Sequence, residues 1–295
     1  MNIRKIMLTL VVATVFMGSF SCRMQERGEA TEGVVSVSIQ PLQYMVDRLT
    51  GGALEVNVMV PAGASHATYS PTTSQFQKLS ASGIYFRIGH LGYEKAFIGR
   101  LSEMNPGMQV INLSEGISLI RGEEIDHGDH VHEGGIDPHI WMSPAVMIQL
   151  LPRMKEAIVA VYPALLPEVE ANYRLLLPEV EALDQELAVL SGELSHKRFL
   201  IFHPALTYLA RDYGFEQIPI ERHGKEPSPA LLAHIIDEAR THEVPVIFVQ
   251  QEFDVRSAQL VSQESGARIV QINPLAYDWF QSMGEVVEAF KTHMQ

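Results

Sequence analysis

Short apolar, β-branched runs set off by polar positions recur through both halves of the chain. "VVSVSIQ" (34–40), "LEVNVMV" (54–60), "GIYFRIG" (83–89) and "QVINL" (109–113) read as strands in the first half. "FLIFHPA" (199–205), "EQIPIE" (216–221), "VPVIFVQ" (244–250) and "ARIVQIN" (267–273) do so in the second. All are bounded, mostly β-branched runs, which suit a buried pleated surface. Helical patterns such as "PLQYMVDRLTG", "PALLAHIIDEARTH" and "DVRSAQLVSQESG" lie between them. Strand–helix–strand alternation predicts parallel sheets with right-handed crossovers. The fold class is therefore α/β, with a roughly four-stranded parallel sheet flanked by helices in each of two lobes, 34–142 and 195–295.

Between the lobes, residues 143–194 hold only helix formers and predict a long helical connector. Inside it "LLPEVEANYR" (165–174) is echoed by "LLPEVEALDQ" (176–185), an offset of 11 residues. Eleven residues are about three helical turns, so both copies present one face. Pro167 suits a helix start, whereas Pro178 is expected to kink the helix or begin a new one. Such a connector makes the lobes a clamp with a stiff hinge.

The amino terminus breaks the pattern. Arg4 and Lys5 precede the apolar run "IMLTLVVATVFMG", which is short of the ~20 residues of a membrane span and reads as a signal peptide over 1–21. The sole cysteine, Cys22, follows at once and resembles the lipidated first residue of a bacterial lipoprotein, although the usual Leu three residues earlier is absent. Polar residues 22–33 read as a flexible tether. These features predict export, a lipid anchor through Cys22 and no internal disulfide. The formal charge of -13 argues against nucleic acid, and removing the leader, which carries only two cations, makes it -15.

Candidate chemistry lies in the histidines. Open α/β sheets bind ligands at the carboxyl ends of their strands. His66 in "VPAGASHATYSP" follows the strand ending at Val60, His203 ends "FLIFH", and His139 in "DPHIWMSP" leaves the first lobe. A separate acidic run, "RGEEIDHGDHVHEGG" within the loop 121–135, adds His127, His130 and His132.

In order along the chain, "SIQPLQYMVDRLTGGALEVNVMVPAGASHATYSP", "DPHIWMSP", "FHPALTYLARDYG", "GKEPSPALLAHIID" and "INPL" resemble the zinc/manganese-type solute-binding proteins of bacterial ABC importers (cluster A-I, ZnuA- and TroA-like) over about residues 34–290. The resemblance implies lobes joined by a long helix and a metal held by the residues matching His66, His139 and His203. It implies a lipid-anchored, monomeric, periplasmic receptor that passes Zn²⁺ to an ABC permease in the membrane. Such proteins commonly carry a His- and acid-rich insertion where His127, His130 and His132 stand, so weak auxiliary metal binding is expected there. Asp137 is expected to accept the other N–H of the His139 ring, with Trp141 as a packing neighbour.

The chain departs from the family at the fourth ligand. An Asp in a "DPL" motif is replaced by Asn273, and a Glu that some members place before the first histidine is Ser65. Asn273, a water, Glu252 or Asp278 stay open as the fourth ligand, with water or Asn273 preferred. Three imidazoles suit Zn²⁺, whereas Mn²⁺ prefers harder oxygen ligands. Manganese-type relatives carry Glu at the position of His203. Other readings are a receptor for another divalent metal, a three-His zinc hydrolase or hydratase with Glu252 or Asp278 as base, or an adhesin with a stabilising metal. No H-E-x-x-H motif is present.

Overall fold

The computed structural model describes residues 33–122, 125–126, 131–132, 135–221 and 227–295. The expected leader, Cys22, nearly all of the tether, and His127 and His130 lie outside them, and only the backbone of His132 lies within them.

The first lobe runs β1 (Val34–Ile39), α1 (Gln40–Thr50), β2 (Glu55–Val60), α2 (Thr73–Ser80), β3 (Ile84–Arg87), α3 (Gly92–Met104) and β4 (Gln109–Asn112). A two-residue antiparallel pair, β5 (Ile125–Asp126) and β6 (Val131–His132), follows within the acidic insertion. The connector is α4 (Pro144–Val161) and α5 (Leu166–Glu193), separated by a single 3₁₀ turn. The second lobe runs β7 (Arg198–Ile201), α6 (Thr207–Tyr213), β8 (Glu216–Pro219), α7 (Pro229–Thr241), β9 (Val246–Gln250), α8 (Arg256–Ser265), β10 (Arg268–Ile272) and α9 (Trp279–His293).

The two main sheets are wholly parallel, in the orders β2-β1-β3-β4 and β10-β9-β7-β8. Counted within each lobe, both orders read second-first-third-fourth, so the lobes share one topology. In each sheet the order reverses beside its first strand, and ligands collect in the crevice at such a switch point.

Of the two outcomes expected at Pro178, a new helix start does not occur: α5 continues through it for 28 residues, a length of ~42 Å. Val169, Leu176, Val180, Leu183, Leu187 and Leu190 are buried along one face, which packs on α1 and α4. Burying each such side chain stabilises by ~1.5–3 kcal/mol, and together they outweigh the ~3 kcal/mol that an interior proline costs. Val169 and Val180 occupy equivalent places in the two echoed copies, so the repeat does present one face.

The lobes do not have independent cores. One apolar core runs from Val35 and Phe86 through Met147 and Leu187 to Phe199, Phe248 and Phe290. A smaller one, with Leu200, Phe202, Ile247 and Val249, covers the other face of the second sheet. Alternate residues of β7 and β9 enter different cores, as a period of two requires. Two fully buried tryptophans lock the seam: Trp279 Nε1 donates to Trp141 O at 2.7 Å, and Trp141 Nε1 donates to Pro274 O at 2.8 Å.

Candidate metal centre

His66 and His203 are delivered by the chain leaving a strand, and His139 by the turn that leads from the insertion into the connector. His66 lies in the loop between β2 and α2. That loop is tied by Tyr69 N–H to Ser65 O (2.9 Å) and closes on a capping box between Thr72 and Gln75. Gln75 also donates to Val58 O and Met59 O at 2.8 and 3.1 Å, so the far end of the loop is moored to β2. His203 lies two residues beyond β7, so the strand is shorter than "FLIFHPA" suggests. Its backbone N–H donates to Gln250 Oε1 at 3.2 Å, and Gln250 Nε2 returns a bond to His203 O at 2.6 Å. His139 immediately precedes a 3₁₀ turn, Ile140–Met142.

The three rings converge. His139 Nε2 stands 2.9 Å from His66 Nε2 and 3.3 Å from His203 Nε2, and one ligand atom from each ring falls within a 4.8 Å group. This is the one such group of histidine, cysteine and carboxylate atoms among the described residues. His66 and His139 are buried. Trp141 walls the site, its ring 5.2 Å from that of His139 and 6.0 Å from that of His66, while Phe253 stacks on His203 at 5.2 Å.

The hydrogen-bond partners decide the tautomers. His139 Nδ1 lies 2.8 Å from Asp137 Oδ1, which also accepts the His139 backbone N–H at 2.8 Å. His203 Nδ1 lies 2.5 Å from buried Glu221 Oε1. An ionised carboxylate only accepts, so each ring carries its hydrogen on Nδ1 and presents a bare lone pair at Nε2. Two such lone pairs 3.3 Å apart repel unless a cation lies between them. Two nitrogens bound to one tetrahedral zinc at about 2.0–2.1 Å are themselves roughly 3.3 Å apart. His66 differs: among the described residues its buried Nδ1 has no partner.

Burial, followed by repulsion from His139 and His203, holds His66 well below the ordinary histidine pKa. Burial also lowers His139, although Asp137 pulls it upward. Burial works to raise the Asp137 carboxyl, yet attraction to His139 and its hydrogen bonds bring it below the usual range.

The remaining candidates stand outside the three-histidine group. Asn273 Oδ1 accepts Leu275 N–H at 3.1 Å within its own turn. Asp278 caps α9 by accepting Gln281 N–H at 3.0 Å. Glu252 follows β9, where burial raises its carboxyl and the nearby His203 works against that rise. His90 pairs with Ser114 (3.1 Å) beside Gly89, whose φ of +100° and closeness to Asn112 admit no side chain. Sequence reasoning missed Glu221, Gln250 and Phe253. The available signal was that each lies at or just after the carboxyl end of a strand.

A family model described as "Zinc-uptake complex component A periplasmic" matches residues 35–293. The zinc-binding lipoprotein AdcA of Streptococcus pneumoniae is 25% identical over 264 residues, covering 86% of this chain and 52% of its own, so this chain spans about half the length of that relative. The high-affinity zinc uptake system protein ZnuA of Bacillus subtilis is 26% identical, over 82% of this chain and 78% of its own. A crystal structure of ZnuA superimposes with a TM-score of 0.80 at 31% identity, covering 90% of this chain and all of that one.

Proposed function

The chain belongs to the periplasmic zinc-uptake component family, and from that premise we propose that it is an exported receptor that captures Zn²⁺ between its lobes and delivers it to an ABC permease. The observation that carries this reading is the pair of carboxylate-fixed imidazole lone pairs, on His139 and His203, facing each other at 3.3 Å with His66 beside them. His66, His139 and His203 act as the ligands, and water or Asn273 takes the fourth position. An all-nitrogen trio favours Zn²⁺ over Mn²⁺. In the lipoprotein reading the receptor is a monomer tethered through Cys22. His127, His130 and His132 collect further metal weakly.

This family consists of solute-binding receptors, and we read this chain as one and not as a zinc hydrolase. Asp137 and Glu221, the carboxylates against the imidazoles, are both engaged at Nδ1 and so do not serve as a base for attacking water. Asp278 is occupied as a helix cap.

Zinc stoichiometry and affinity on the mature protein, measured by chelator competition, test the reading. Wild type should bind one Zn²⁺ tightly. His139→Ala should abolish that site, whereas deleting residues 121–134 should remove only weaker additional binding. Loss of the tight site on deleting the loop would move the function to the insertion and defeat this assignment.

A further inference from the structure

His139 and His203 belong to different lobes, so their separation depends on whatever fixes one lobe's turn against the other's helix. Besides the tryptophan pair, one such contact is made at the start of α6. Tyr208, fully buried, donates its hydroxyl to Asp137 O at 2.9 Å and accepts Ile120 N–H at 3.2 Å. Ile120 and Asp137 are themselves paired, Asp137 N–H donating to Ile120 O at 2.9 Å. They close the neck of the insertion, whose next rungs are the Arg121–Ile136 bridge and Gly122 N–H to Gly135 O. Arg211, one turn further along α6, lies over the Tyr208 ring at 4.9 Å and donates to Ser118 O.

Besides its N–H bond to Ile120 O, Asp137 is attached at two further groups, its carboxylate, which also bonds the Thr207 side chain, and its carbonyl. Its carboxylate orients the His139 ring, and its carbonyl is held by a hydroxyl from the other lobe. His203 stands on the four-residue lead into the same short helix, and that lead is itself fixed: Leu206 N–H donates to Gln217 Oε1 and Gln217 Nε2 donates to Thr207 Oγ1, both at 2.8 Å. One helix start therefore carries His203 covalently and grips the Asp137–His139 turn through Tyr208.

We propose that Tyr208 is a positioning residue that sets the gap between His139 and His203, and thereby the size of cation the centre prefers. This rests on the reading that those histidines hold the transported metal. A site gauged to 3.3 Å matches the nitrogen–nitrogen edge of a small tetrahedral ion. Without the hydroxyl the Asp137 turn can shift away from α6, and the site should relax toward a wider ion of the same charge and ligand taste.

The test compares Zn²⁺ and the larger Cd²⁺ by chelator competition on the full mature chain, in wild type, Tyr208→Phe and Arg211→Gln. Tyr208→Phe keeps the ring and removes only the hydroxyl. It should weaken Zn²⁺ by about tenfold, as for loss of other outer partners of metal ligands, while Cd²⁺ changes much less. Arg211→Gln, which frees the neighbouring Ser118 carbonyl, should move the Zn²⁺/Cd²⁺ ratio the same way by a smaller factor. A merely structural role predicts a lower melting temperature with equal loss for both ions, and an unchanged ratio overturns the proposal. Should Tyr208→Phe not fold, the Arg211→Gln ratio alone decides. Failure of wild type to bind either metal at one per chain would instead overturn the receptor reading, and this inference with it.

Discussion

The loop that brings in His66 and the turns that bring in His139 and His203 hold their imidazoles by different means. The latter two rings each meet a carboxylate at Nδ1, Asp137 from the same turn as His139 at 2.8 Å and Glu221 from just beyond the end of β8 at 2.5 Å. The His66 loop supplies none, and the ring is confined by burial and by its contact with His139 Nε2. Carboxylate-backed rings are oriented, fixed in one tautomer and more basic as ligands. The His66 ring keeps its neutral form easily, and its only hydrogen-bond partner among the described residues is the Nε2 lone pair of His139, 2.9 Å from its own Nε2, so nothing backs it at Nδ1. The site therefore combines two prepared ligands bridging the lobes with one ligand whose nearest ring, His139, lies in its own lobe. In the receptor reading His66 is the ligand freest to leave when metal is handed on.

The largest effect expected from breaking this contrast is at the carboxylates. Glu221→Leu and Asp137→Ala should each weaken Zn²⁺ about 10–100-fold by chelator competition, with Glu221→Gln intermediate because its amide oxygen can still accept from Nδ1. Losses no greater than those from surface substitutions would mean that the buttresses are structural only.

A smaller effect should follow from loosening the other region. Gln75→Ala removes the capping-box partner of Thr72 and the mooring to Val58 and Met59. Each of these hydrogen bonds contributes about 0.5–1.5 kcal/mol. Stopped-flow release of Zn²⁺ should quicken while the affinity changes less than in the carboxylate variants. An affinity loss as large as theirs would show that the His66 loop is as strictly prepared as the turns.

The smallest effect is the pH dependence of the metal-free protein. His66 and His139 titrate lower when folded than the ~6.5 of an unfolded histidine, so below that value the unfolded chain binds more protons. Stability against urea should be level above about pH 6.5 as far as these groups are concerned. It should fall as pH drops from there through the lowered folded values. His66→Ala should flatten the slope more than His139→Ala, since Asp137 offsets part of the shift at His139 alone. Equal slopes in the two variants would erase the electrostatic side of the contrast.

Much of this was legible in the residues. Short apolar, β-branched runs located all eight strands of the two main sheets, because parallel strands covered on both faces take apolar side chains almost throughout. Strand ends followed by His66 and His203, with His139 in the connection leaving the first lobe, pointed to one crevice, since parallel strands expose their carboxyl ends together. The eleven-residue echo announced the buried face of α5. Its passage through Pro178 was not legible, because the apolar neighbours that compensate a lost hydrogen bond come from α1 and α4, remote in sequence.

What the sequence by itself determined is thus local: which runs pleat, which coil, and which side chains stand at strand ends. Only the tertiary structure decided the partners. Glu221 meets His203 because β8 lies beside β7, and Tyr208 meets Asp137 because α6 of one lobe abuts the turn leaving the other. Those distances depend on strand order and on a core shared across the seam, and no spacing along the chain encodes them.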